Sequence, residues 1–305
     1  DLHSFPTRRS SDLVLNTRME TNEKSEKIYD SAKLINPFVD EVNSLFENRF
    51  ILKRMIYTNF KTRYKRSYLG VIWSLLNPLL NMVVFVVIFS NLFRFDIPHY
   101  PLYIFAGNMI FSFYSSSTAE AMMQIIGNGP MIRRVYLPKT VYVISGIGIN
   151  GINLILTAIP FIIIAFIDKV EYSSALFLII PAILLLTFFV VGMSLLVATI
   201  TTYLNDFSQI WSVILTLWMY LTPLFYPETI IPDEFIVAFR LNPMYIFVTL
   251  FRDPVLYQKI PDPVLWINGS LYGFGVLILG WWIFTKHSND FARSEEHTSE
   301  LQSQY

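Results

Sequence analysis

Cysteine is absent from this sequence and charge is scarce: 23 Lys and Arg balance 23 Asp and Glu, 15% of the chain, against about 25% in ordinary soluble domains. Without thiols there are no disulfides, no thiolate catalysis and no Cys-ligated metal sites. The zero net charge excludes a bulk field for nucleic acid or acidic substrates, so what counts is where the charges lie. The four histidines, His3, His99, His287 and His297, lie far apart, none at the spacing of a metal motif. No GxxxxGK[ST] loop is present to cradle phosphates. No stretch reads as a cleavable signal: the first apolar segment of spanning length begins after residue 67, behind a polar and basic region.

What is abundant is apolar sequence. Hydrophobic residues make up 53% of the chain and the mean hydropathy is +0.46. Roughly 20 apolar residues cross about 30 Å of hydrocarbon, and six segments qualify, near 69–93, 102–126, 140–167, 174–203, 207–226 and 264–285. Pro78, Pro160 and Pro181 fall in or at the edge of spans, where neighbouring helices satisfy freed carbonyls, so kinks rather than breaks are expected. Arg49, Lys53, Arg54, Lys61, Arg63, Lys65 and Arg66 precede the first span and only Arg94 follows it. Arg133, Arg134 and Lys139 then stand between spans two and three, and only Lys169 between three and four. This alternation predicts cytoplasmic termini and an outer segment at 227–263. Glu120 is the main ionisable group inside a span, too few for a proton relay, and no internal repeat suggests an inverted-repeat carrier.

Both ends break with this pattern. DLHSFPTRRSSDL and SEEHTSELQSQY resemble translated sequencing-adapter DNA, so residues 1–13 and 294–305 are set aside as artefacts, the alternative being natural disordered tails. Residues 14–67 read as a cytoplasmic lead-in followed by an amphipathic helix. From Leu45 the apolar positions Leu45, Leu52, Ile56, Phe60 and Tyr64 form a stripe opposite Arg54, Lys61 and Lys65. Arg49, Lys53 and Arg63 sit in or beside that stripe, as snorkelling cations do on a helix lying along the headgroups. A soluble amphipathic helix is the alternative.

RYKRSYLGVIWSLLNPLL, IFSNLFRF, GNGPMIRRVYLPK, TTYLNDFSQIW with LTPLFYP, and LNPMYIFVTLFRDPVL occur in that order between Leu45 and Phe284. Together they resemble the membrane subunit of ABC-2 type exporters, above all permeases for O-antigen polysaccharides and teichoic acids. The resemblance implies an all-α polytopic fold: an N-terminal interfacial helix, six transmembrane helices over 68–286, and short outer re-entrant gate helices. It also implies a second copy of the chain to complete the path, and a separate ABC ATPase subunit that uses ATP and Mg, this chain binding no cofactor. The substrate would be a lipid-linked glycan or polyol-phosphate polymer, and the location the bacterial cytoplasmic membrane.

In that family GNGPMIRRVYLPK is the coupling helix that docks on the ATPase. Met131, Ile132, Val135, Tyr136 and Leu137 would supply apolar contact, with Arg133 and Arg134 guiding it; alternatively the two cations only enforce topology. In the outer segment, two short apolar pieces separated by Asn242-Pro243 are too short to span and suit re-entrant gate helices or a plain cap. Arg63, Lys65 and Arg66 would meet anionic headgroups, including the pyrophosphate of an incoming substrate. Gly70 would let the chain turn into the first span, and Trp73 would anchor near the boundary. Aromatic faces stack on sugar rings without charge, which makes Trp211, Trp218 and Tyr220 candidates for lining the path, the alternative being interfacial anchoring or packing. Glu120 is a candidate to meet a cation at the cytoplasmic mouth. Ser115, Ser116, Ser117, Thr118, Asn150 and Asn153 would line a hydrated path or serve as interhelical glue. The resemblance departs at Leu204-Asn205, where the family often carries a basic residue, which weakens any salt-bridge role transferred to Asp206.

Two rival functions remain at this point. A drug or small-lipid exporter would share the architecture. A membrane-embedded transferase would need a carboxylate or His cluster at one face, and only scattered outer acids are present.

Overall fold

The structure, a computed structural model, describes residues 37–65, 69–92, 97–134, 137–171, 173–204 and 206–287. Every regular element among them is helical. Two helices precede the apolar region, α1 (Pro37–Glu47) and α2 (Arg49–Tyr64). They are separated at Asn48, whose backbone leaves helical geometry at φ −89°, ψ 14°. Its side-chain Nδ2 donates to the Ser44 carbonyl at 2.8 Å, alongside its own backbone N–H at 2.9 Å. On α2 the stripe Leu52, Ile56, Phe60 and Tyr64 is half-buried while Arg49, Lys53, Arg54, Lys61, Arg63 and Lys65 are exposed.

The apolar region contains α3 (Ile72–Leu92), α4 (Tyr100–Gly127), the short α5 (Gly129–Arg134), α6 (Thr140–Ile167) and α7 (Ile179–Tyr203). A 3-10 turn at Ser174–Leu178 leads into α7. Then come α8 (Phe207–Tyr220), α9 (Asp233–Arg240), α10 (Pro243–Leu256) and α11 (Pro263–His287). Pro78 and Pro160 lie inside unbroken helices. Pro181 falls in the first turn of α7, where no intrahelical N–H bond is lost.

Four segments among the described residues are long and apolar enough to cross a membrane: Ile72–Phe89, Thr140–Ile167, Ser174–Tyr203 and Pro263–His287. The pair α9 and α10, bent by 86°, adds a fifth if it counts as one broken span. Two of the six expected segments, 102–126 and 207–226, do not meet that measure of length and hydropathy. The segment expected at 102–126 is helical as α4 but less apolar, because Asn108, Ser112, Ser115, Ser116, Ser117, Thr118, Glu120 and Gln124 interrupt it. Of its 28 residues 18 are buried; of those polar groups Ser117, Thr118 and Gln124 are buried in protein, away from hydrocarbon that would penalise them, while Ser112 and Ser116 are exposed. The segment expected at 207–226 stops being helical at Tyr220. Fourteen residues reach only about 21 Å, and Pro223 disfavours helical geometry at Thr222.

Helix packing depends on close backbone approach at one seam. A Cβ at Gly280 of α11 would lie 2.2 Å from the Gly192 carbonyl oxygen of α7, and one at Gly192 would lie 2.4 Å from the Val276 oxygen. Only glycine permits that distance, and dispersion across it replaces the hydrophobic drive that lipid removes. The faces turned outward carry Val83, Val87, Ile162, Phe166, Leu217 and Leu271, all exposed and apolar.

The two ends of the bundle are distinguishable. At one, Thr285 of α11 donates to Glu41 of α1 at 2.8 Å and the Tyr203 and His287 rings meet edge-on at 5.9 Å. At the other, His99 before α4 contacts Asp168 after α6 at 2.7 Å.

Candidate functional site

A cavity of about 450 Å³ opens where α2 meets α3, α4 and α6. Just before α3, Gly70 adopts φ 49°, a left-handed conformation that side chains resist. Beyond it, α3 presents Ser74, Asn77 and Asn81 to the cavity, α4 presents Asn108, Ser112 and Ser116, and α6 presents Asn150, Asn153 and Thr157. In each helix these positions follow three- and four-residue spacing and so share one face. Three polar faces thus converge inside an apolar bundle. Tyr64, Trp73, Phe105 and Phe113 add aromatic edges.

Part of this lining is already hydrogen-bonded. Ser74 Oγ donates to Tyr64 Oη at 2.5 Å, and Tyr64 Oη donates to Asn153 Oδ1 at 3.3 Å. Asn150 Nδ2 donates to the Gly146 carbonyl at 3.2 Å, and Thr157 Oγ1 donates to the Asn153 carbonyl. The Asn108 amide has no side-chain partner among the described residues.

Arg63 stands at the rim, its Nη2 donating to Glu120 Oε2 at 2.6 Å, with both side chains partly exposed. Gln124 Nε2 donates to Glu120 Oε1 at 2.9 Å, and Asn128 Nδ2 donates to Gln124 Oε1 at 3.0 Å. Asn128 occupies the turn into α5, and its carbonyl accepts from Met131 and Ile132, both at 2.9 Å. A ladder of polar contacts therefore runs from the cavity rim along α4 to α5. Gly146 of α6 makes room for it: a Cβ there would meet Glu120 Cγ at 3.0 Å and Gln124 Cγ at 3.1 Å. A second glycine, Gly148, receives Ile56 of α2, whose Cδ1 would lie 2.5 Å from a Cβ.

The remaining candidates from sequence fall as follows. Met131 is exposed on α5, while Ile132 and Leu137 pack against the core. Arg133 and Arg134 belong to α5, with side chains outside the description, and Val135, Tyr136 and Arg66 lie outside the described residues. Lys65 is exposed at the end of α2, and Trp73 is 44% exposed at the cavity edge. Trp211 is buried, its indole donating to Thr118 Oγ1 at 3.1 Å. Trp218 donates to Asn242 Oδ1 at 2.8 Å, and Tyr220 is exposed. The structure thus joins Arg63, Trp73 and Glu120 around one cavity and its rim, and leaves Trp211, Trp218 and Tyr220 apart from it.

Two groups of residues were not singled out from sequence. Asn77, Asn81 and Asn108 complete the cavity, and the helical spacing of polar residues on α3, α4 and α6 was the available signal. The other is a knot at the opposite end, around Arg252 of α10. Its guanidinium is buried and donates to the Tyr103 carbonyl at 3.1 and 2.8 Å, to Pro223 O at 2.7 Å and to Leu224 O at 2.8 Å, with Tyr103's ring 3.6 Å away. Tyr100 and Tyr103 donate to the Phe225 and Tyr226 carbonyls at 2.8 and 2.9 Å, so the segment after α8 is held from two sides. Burial raises the Tyr257 phenol beside this knot above its ordinary range.

With that geometry in place, known proteins can be compared. The profile of the ABC-2 type transporter family matches residues 52–256, which include most of α2, the cavity, the ladder and the Arg252 knot. The O-antigen export system permease protein RfbA of Myxococcus xanthus is 28% identical over 262 residues, covering 83% of this chain and 98% of that protein. The protein of the same name from Klebsiella pneumoniae is 29% identical over 246 residues, 78% of this chain and 93% of that protein. The capsule polysaccharide export inner-membrane protein CtrC of Neisseria meningitidis serogroup A is 22% identical over 255 residues, 78% of this chain and 93% of that protein.

Proposed function

The chain belongs to the ABC-2 type transporter family, and from that premise we propose that it is the membrane subunit of an ATP-driven exporter of lipid-linked polysaccharide. The observation that carries this reading is the cavity, a hydroxyl- and amide-lined space with aromatic edges inside an otherwise apolar bundle. Such a lining suits a glycan better than an apolar drug, and the names of the relatives point the same way.

The cavity end is cytoplasmic, where the Lys and Arg residues of α2 concentrate. Glu41 of α1 meets Thr285 at the end of α11, which puts both ends of the described chain on one side and fits an even number of crossings; we count six, with α4 as the second and α8 plus the Arg252-held segment as the fifth. The bent pair α9 and α10 forms the outer gate. A second copy of the chain completes the path, and a separate nucleotide-binding subunit uses ATP and Mg.

The lipid-linked chain approaches from the inner leaflet, where Lys65 and Arg66 attract its phosphates while Arg63 stays paired with Glu120 and the glycan meets the cavity. Closure of the ATPase subunits pushes on α5. The push reaches Asn128, and the Gln124–Glu120–Arg63 contacts carry it to α2, which rides on α6 through Ile56. Transport proceeds by exchange between two packings, with no covalent step in this chain. Clean deletion of the gene should leave lipid-linked glycan inside the cell and strip it from the surface. An unchanged surface glycan after deletion overturns the reading.

A further inference from the structure

The access cavity is polar but almost uncharged. The only cation among its described lining residues is Arg63, which already holds Glu120 at 2.6 Å. The other polar groups are amides and hydroxyls. An asparagine amide offers a donor and an acceptor side by side, which matches a pair of neighbouring sugar hydroxyls. Trp73, 44% exposed at the cavity edge, supplies an aromatic surface for the C–H side of a pyranose ring.

Asn108 is the most telling residue. It is half-buried on the central helix, it lines the cavity, and its amide finds no side-chain partner among the described residues. Its amide faces the open cavity, where a ligand hydroxyl can take the place of water. A phosphodiester brought into the same space would find no free cation, and burying an unpaired anion costs far more than burying hydroxyls that can be matched. A volume of about 450 Å³ lies within the usual range of ligand sites, about 300–1,000 Å³.

Resting on the export reading above, we infer that this cavity is a binding site for neutral saccharide, which accepts a sugar of the lipid-linked chain and rejects a polyol-phosphate repeat. The phosphates of the lipid anchor stay outside it, beside α2.

The full chain in lipid nanodiscs, titrated with a neutral hexose trisaccharide and separately with a glycerol-phosphate trimer, tests this through tryptophan fluorescence. The Trp73 signal is isolated by subtracting a Trp73→Phe variant. Saturable quenching by the trisaccharide, at least about tenfold tighter than by the phosphate trimer, is expected. Asn108→Ala should weaken it about tenfold, the scale of one lost hydrogen bond. If Asn108→Ala does not fold, Ser116→Ala removes a hydroxyl from the same wall and should weaken it in the same direction. Equal or tighter binding of the phosphate trimer, no saturable trisaccharide signal, or indifference to the folded wall variants overturns the inference. The export reading is judged separately, because deletion reports glycan retention whatever the cavity binds.

Discussion

Arg63 and Arg252 stand at opposite ends of this molecule and do opposite things. Arg63 is partly exposed and reaches one carboxylate on a neighbouring helix, which in turn holds Gln124. Arg252 is buried and reaches three backbone carbonyls from two segments of the chain. A side-chain partner on a separate helix can be exchanged at small cost, because water stands ready to replace it. Backbone carbonyls buried without water have no substitute. The first arrangement suits a part that moves, and the second a part that holds.

Arg252→Ala should give the largest loss of stability. It leaves the Leu224 carbonyl without this donor, at about 1–3 kcal/mol, removes one donor each from the Tyr103 carbonyl and from the Pro223 carbonyl, which keeps Tyr103 Oη at 3.2 Å, and should lower the melting temperature of the detergent-solubilised protein. Arg252→Lys keeps the charge but cannot span three carbonyls, so it should fall between. Wild-type melting of Arg252→Ala would erase the contrast between the two ends.

Gly146→Val comes next. Its side chain collides with Glu120 and Gln124, and overpacking of this kind costs about 1–3 kcal/mol. Export in cells should fall well beyond what the melting temperature explains, because the ladder is displaced.

Glu120→Gln should be nearly neutral for stability, since a pair this exposed contributes less than about 1 kcal/mol. Coupling should nevertheless suffer: in reconstituted complexes, stimulation of the partner ATPase by substrate should drop several-fold. Exchanging the charges, Arg63→Glu with Glu120→Arg, should restore part of it. Unchanged stimulation in Glu120→Gln would remove the ladder from the transport cycle.

Much of the fold was legible because its causes are local. The expected segments 140–167 and 264–285 correspond to α6 at Thr140–Ile167 and α11 at Pro263–His287. The stripe Leu52, Ile56, Phe60 and Tyr64 lies half-buried on one face of α2. The segment 207–226 is helical only to Tyr220: hydropathy counts Leu224, Phe225 and Tyr226 with the helix, whereas Pro223 and the carbonyl-seeking Arg252, Tyr100 and Tyr103 hold them in another conformation. Trp211 was weighed as a path residue from its type alone, and its donation to Thr118 is visible only once α4 and α8 are packed together.

By itself, the sequence determined that the chain is helical, that it crosses a membrane several times, and which transporter family it belongs to. Hydrocarbon forces each backbone to satisfy its own hydrogen bonds within its own segment, so apolar runs and their punctuation suffice to place helices. Tertiary structure alone decided which polar side chains meet. Arg63 finds Glu120 across 57 positions, Tyr64 finds Asn153 across 89, and Arg252 finds the Tyr103 carbonyl across 149. Such pairings depend on the rotation and depth of each helix against its neighbours. Those are set by glycine contacts such as Gly192 with Gly280, which periodicity along a single helix does not encode.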